Sequence, residues 1–235
     1  MLRLIAAGSI QLVLALVLVL ALVLVLGATA VTAAAQTVGP KIYISADMEG
    51  LTGSVTGDQL GPSGFEYSTF RRIMTEEVLA AIEGARAAGA GEILVSDSHG
   101  NGENMLLDMF PDDIRIVRSW PRPLMMMEGI DETFDGVIFI GYHAGTTNPN
   151  GVRAHTISSG TLTDIRINDI SVPEAGINAA IAGHFGVPVI MISGDDAIAA
   201  EATELIGGIE TAVVKNAISF HAATTMTPRA GQKLI

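Results

Sequence analysis

The chain has 235 residues, no cysteine, and a formal charge of −12 from 25 acidic against 13 basic side chains. So acidic a surface repels nucleic acid and anionic lipid head groups, and neither is expected as a partner. The lack of cysteine excludes a disulfide framework and a lipoprotein anchor, and one tryptophan with three tyrosines offers no aromatic platform for sugars.

Residues 1–35 read as a leader. Arg3 is followed by an unbroken aliphatic run from Leu12 to Leu26, and Ala33-Ala34-Ala35 puts small residues at the −3 and −1 positions before Gln36, the pattern of a secretory signal peptide. No charge falls between Arg3 and Lys41, so the stretch also reaches the ~20 residues that span a bilayer. An uncleaved anchor, and with it membrane contact through this segment alone, is the alternative reading. The Ala-rich tail suits a peptidase better than a stop-transfer flank, so the expected location is periplasmic or extracellular. Without the leader, 200 residues carry 12 basic and 25 acidic groups, a charge of −13. Residues 36–40 form a short linker, and 41–235 suffice for one domain with a full core.

Within that domain apolar runs alternate with helical patterns. Ile42–Ala46 is a predicted strand. Phe70–Ala88 has Met74, Val78, Ala81, Ile82 and Ala85 on one face and Arg72, Glu76 and Glu83 on the other, which predicts an amphipathic helix stopped at Gly89. Strands are predicted at Glu92–Ser96, Ile114–Arg118, Gly136–Tyr142 and Pro188–Ser193, and helices at Pro173–Phe185 and Ala197–Ile206. Short buried strands separated by helices imply an α/β fold, a mainly parallel central sheet with helices on both faces. The Thr-, Ser- and Ile-rich stretch Ala154–Val172, with Asn168-Asp169 as its turn, reads as a small antiparallel excursion.

Chemistry-bearing residues recur where strands run out. Asp47 and Glu49, two apart in Asp47-Met48-Glu49-Gly50, share one side of an extended backbone just past the first strand. Two like charges so placed are costly unless a cation neutralises them. His99 follows the second strand in Asp97-Ser98-His99, His143 follows the fourth in Gly141-Tyr142-His143-Ala144, His155 follows a Pro149-Asn150-Gly151 turn, and Glu174 opens a helix. A parallel sheet gathers its strand C-termini at one edge, and imidazoles with carboxylates suit zinc or a similar divalent ion. Other candidates have plainer readings. Asp97 caps a turn or supports a ligand from behind, Asp195 is a helix N-cap, Met125-Met126-Met127 fills core, and His184 and His221 are structural or solvated.

Together, Asp47-Met48-Glu49-Gly50, Asp97-Ser98-His99, Gly141-Tyr142-His143-Ala144, and Asn168-Asp169 followed by Glu174 resemble the DppA-type D-aminopeptidases, bacterial binuclear zinc peptidases, from about Lys41 onward. The resemblance implies two Zn2+ ions per subunit. Asp47 bridges them, Glu49 and His99 complete one, His143 and Glu174 the other, and His155 is the catalytic histidine, as acid/base, oxyanion stabiliser or nucleophile. It implies hydrolysis of amino-terminal D-residues, of the D-alanine type, from short peptides by a metal-bound hydroxide, and a ring-shaped homo-oligomer. Relative to that pattern the domain lacks a C-terminal segment. Two other readings stay open: another two-metal hydrolase, such as an amidase or phosphoesterase, and a non-catalytic exported binder of peptide or metal. A phosphoesterase wants Asp-x-His on the first strand and a later Asn-His pair. Here Asp97-Ser98-His99 has that spacing one strand late and no Asn-His pair occurs, which weakens that reading without excluding it.

Overall fold

A computed structural model of the protein describes residues 39–235. The leader expected over residues 1–35, and the first residues of the linker, lie outside the described residues.

Nine strands and four α-helices make up the described part. The strands are β1 (Lys41–Ala46), β2 (Glu92–Asp97), β3 (Arg115–Val117), β4 (Gly136–Tyr142), β5 (Arg166–Ile167), β6 (Ile170–Ser171), β7 (Val189–Asp195), β8 (Glu210–Ser219) and β9 (Ala222–Thr225). The helices, numbered in chain order, are α1 (Tyr67–Ala87), α2 (Glu174–His184), α3 (Asp196–Ile206) and α4 (Pro228–Leu234). Seven strands form one sheet in the order β3-β2-β1-β4-β7-β8-β9. All its neighbours are parallel except β8 and β9. Among the described residues no helix is long and apolar enough to cross a membrane.

Alternation along the strands explains why both faces are covered. Ile42, Ile44, Ile138 and Ile140 pack on one side with Met74, Val78 and Ile82 of α1. Tyr43, Val137 and Phe139 pack on the other with Ala175 and Ala182 of α2 and Ile198 and Ala202 of α3. Strands buried on both faces read as continuous apolar runs, which is why β1 and β4 are visible in the sequence. The excursion is the two-residue hairpin β5–β6. Its turn residues Asn168 and Asp169 have φ of 50° and 65°, the left-handed pair that a tight hairpin turn of this hand requires.

Three differences from the sequence reading stand out. Helix α1 starts at Tyr67, a turn earlier than its apolar pattern. Glu66 supplies no side-chain cap, and the start is fixed instead by tertiary contact, with the buried Tyr67 hydroxyl donating to Asn104 Oδ1 at 2.7 Å. Strands β8 and β9 were not predicted at all, nor was α4. Finally, Met126 and Met127 are core as expected, but Met125 is 39% exposed and has a positive φ of 52°.

Candidate active site

The sheet order reverses direction between β1 and β4, the switch point where open α/β sheets place their clefts. The segments after β1 and β4 are locked together there. Asp47 N donates to Ile140 O at 2.8 Å and Gly50 N to Gly141 O at 2.7 Å. A Cβ on Gly50 would lie 1.9 Å from Tyr142 O, and one on Gly141, whose φ is +70°, would lie 2.3 Å from Asp47 O. Both positions therefore demand glycine, and their close approach sets Asp47 beside His143.

Around this lock the six residues singled out in the sequence converge. Asp47 Oδ1 is 2.9 Å from His99 Nδ1, and its Oδ2 is 3.3 Å from His143 Nε2. One carboxylate thus faces two imidazoles, one oxygen to each. Glu49 Oε2 joins the first side, 2.9 Å from His99 Nδ1, and Glu174 Oε2 the second, 3.5 Å from His143 Nε2. His155 stacks on His143 with ring centroids 4.2 Å apart and planes 7° from parallel, and its Nε2 is 3.8 Å from Glu174 Oε1. Asp47, Glu49 and His99 form one group with donor atoms within 4.8 Å of one another, Asp47, His143 and Glu174 form a second, and Glu49, His143 and His155 form a third.

Each imidazole is oriented from behind. His99 Nε2–H donates to Leu60 O at 2.6 Å, His143 Nδ1–H to Ala144 O at 3.0 Å, and His155 Nδ1–H to Arg153 O at 2.9 Å. A ring that donates from one nitrogen presents a lone pair at the other, and in all three the other nitrogen faces the carboxylates. Glu174 is held by Ile157 N, which donates to its Oε1 at 2.8 Å. Ile157 adopts φ of +65°, a strained conformation for a β-branched residue of the kind that clusters at functional sites.

The electrostatics call for added positive charge. Burial disfavours a charge on His99 and His143, yet Glu49 and Asp47 beside the first ring and Glu174 and Asp47 beside the second hold both pKa values well above the ordinary imidazole value. Burial and the neighbouring Glu49 push Asp47 up. Glu49 and Glu174 are buried too, but the imidazoles outweigh that and hold them below the usual glutamate value. Glu49 Oε2, despite its nearness to His99, and His143 Nε2 lack an aligned hydrogen-bond partner. Divalent cations answer each of these demands, and an oxygen and nitrogen donor set suits zinc. The residues fit such ions.

The cleft above this group measures about 410 Å³, and Ser98, Trp120, Met125 and Ile157 line it with the carboxylates and His155. Sequence reasoning missed these lining residues. The positive φ of Met125 and Ile157 leaves no local signal, and Trp120 is held at the cleft by its Nε1–H bond to Gly100 O at 2.8 Å and by Arg122 over its ring. Asp97 caps the following turn, accepting from the main-chain nitrogens of Asn104 at 2.6 Å and Met105 at 2.8 Å. Asp195 caps α3 through Ile198 N and also accepts from Val152 N, tying down the segment that carries His155. His184 ends α2 and His221 lies between β8 and β9, both exposed and outside the six-residue group.

A family model described as Peptidase_M55, D-aminopeptidase, matches residues 41–235. The chain belongs to that D-aminopeptidase family. It is 38% identical over 195 residues to a D-aminopeptidase of Bacillus subtilis (strain 168), an alignment covering 83% of this chain and 70% of the relative. A solved structure, that of the Zn-dependent D-aminopeptidase DppA from Bacillus subtilis, described as a self-compartmentalizing protease, superposes with a TM-score of 0.78 at 38% identity. That match covers 83% of this chain and 70% of the solved one. The mainly parallel sheet with its small antiparallel pair is thus the fold of a D-aminopeptidase.

Proposed function

We infer that the cleft is the active site of a zinc-dependent metallo-aminopeptidase that hydrolyses amino-terminal D-residues, of the D-alanine type, from short peptides. The observation that carries this reading is Asp47, with one oxygen turned to each of two imidazole–carboxylate groups. In the proposed assignment Asp47 would be shared between two zinc ions, Glu49 and His99 would hold one, and His143 and Glu174 would hold the other. Zinc, when bound, lowers the pKa of water to about 7 and polarises the scissile carbonyl.

His155 handles the proton. Its Nδ1–H is committed to Arg153 O, so the neutral ring offers a lone pair at Nε2. Nε2 takes a proton from the attacking water as the C–O bond forms. The resulting imidazolium, with Glu174 Oε1 at 3.8 Å, returns the proton to the leaving amine as the C–N bond breaks. Trp120, Met125 and Ile157 give the cleft its apolar side.

The test is hydrolysis of D-Ala-D-Ala and of its L,L counterpart by the purified protein. Cleavage of the D,D substrate alone, abolished by chelator and restored by zinc, is expected. Equal cleavage of both, or turnover that persists after complete chelation, overturns the reading. We further propose a ring-shaped homo-oligomer, supported by the self-compartmentalizing relative, with sedimentation velocity as its check. Export is proposed on the aliphatic run and Ala33-Ala34-Ala35, and N-terminal sequencing of the secreted protein checks it.

A further inference from the structure

We propose that Lys215 is a positioning residue for the Glu49 side of the metal centre, its ammonium acting as a fixed internal cation around which the segment after β1 is wound. The inference rests on the two-zinc reading above. Lys215 lies in β8, 161 to 166 residues from the carbonyls it serves, and is 1% exposed. Its Nζ donates to the carbonyl oxygens of Glu49, Leu51 at 3.1 Å and Ser54 at 2.6 Å. An ammonium has three donors, and here all three are spent on main-chain oxygens of one short segment. Lysine is almost never fully buried without such compensation.

The geometry assigns the effect to one half of the centre. Three carbonyls converging on one point repel each other once the ammonium is gone, and each becomes a buried acceptor without a donor. Relief comes by rotating peptide planes, and one of those planes belongs to Glu49, whose carboxylate meets His99. The other half has separate supports. Glu174 is held by Ile157 N, and His143 by Ala144 O. Asp47 is fixed through its own main chain to Ile140 O. Loss of Lys215 therefore falls first on the Glu49–His99 ion, and reaches the His143–Glu174 ion only through Gly50 N, which shares the Glu49 peptide plane and donates to Gly141 O.

Zinc per subunit, measured on the full chain across buffered free-zinc concentrations, tests this. The wild type is expected to hold two ions, and fewer than two overturns the two-metal reading and this proposal with it. Lys215→Met keeps most of the side-chain volume and removes the charge. It should weaken one ion by ~10–100-fold, the range for groups that orient a ligand, and the other by clearly less, resembling Glu49→Ala more than Glu174→Ala. Lys215→Ala leaves room for n-propylammonium, which should restore the second ion, an outcome that general structural damage would not give. Circular dichroism of both variants monitors the fold. Wild-type affinity for both ions in Lys215→Met, equal weakening of both, or no recovery of Lys215→Ala with the amine overturns the proposal.

Discussion

Asp47 is the side chain on which both halves of the centre depend, because its two oxygens face different imidazoles. A graded outcome follows for the proposed ligands. Asp47→Ala should leave no tightly bound zinc, while Glu49→Ala and Glu174→Ala should each retain about one ion per subunit by elemental analysis. His155→Ala should keep both ions and lose ~10²–10⁴-fold in kcat, the usual contribution of a positioned acid–base group. The pairing of Asp47 with Glu49 was legible in the sequence, since both follow a strand at a spacing of two. The division of Asp47 between two partners was not. It depends on a rotamer and on the glycine contact between the segments after β1 and β4.

At the scale of elements, α1 buries a carboxyl as well as an apolar face. Glu77 is fully buried, and its Oε1 accepts from Thr52 N at 2.9 Å. Burial pushes its pKa up from 4.5 to about 7. The folded protein thus keeps a proton there that the unfolded chain has released, and stability falls as pH rises from about 4.5 to about 7. Glu77→Gln retains the acceptor for Thr52 and removes this loss. Its Tm by calorimetry should exceed that of the wild type by several degrees at pH 8 and converge with it near pH 5. Both Glu77 and Lys215 escape a reading of periodicity, because charged residues inside a helix or strand pattern register as solvent-facing. The same reason hid β8. Its Lys215 and Asn216 interrupt the apolar run, and its burial comes from neighbours β7 and β9, which pattern alone does not reveal. By contrast β4, apolar throughout, was legible to its ends.

At the scale of the molecule, the proposed catalytic group lies at the sheet's switch point, where chain segments far apart in sequence are pinned by main-chain hydrogen bonds. The stretch 157–171, whose first residue Ile157 lines the cleft, is largely exposed and contains only the short hairpin β5–β6 as regular structure. Hydrogen exchange should divide accordingly. Amides of Asp47, Gly50 and Leu51 should exchange close to the rate of global unfolding, and amides of residues 158–164 faster by orders of magnitude. Comparable rates in the two regions would contradict that division. The lock between Gly50 and Gly141 has a further consequence. The floor of the cleft has no hinge, so accommodation of differently shaped peptides falls to the lining side chains Trp120, Met125 and Ile157, and residues that choose a substrate can diverge while those that cleave it stay fixed.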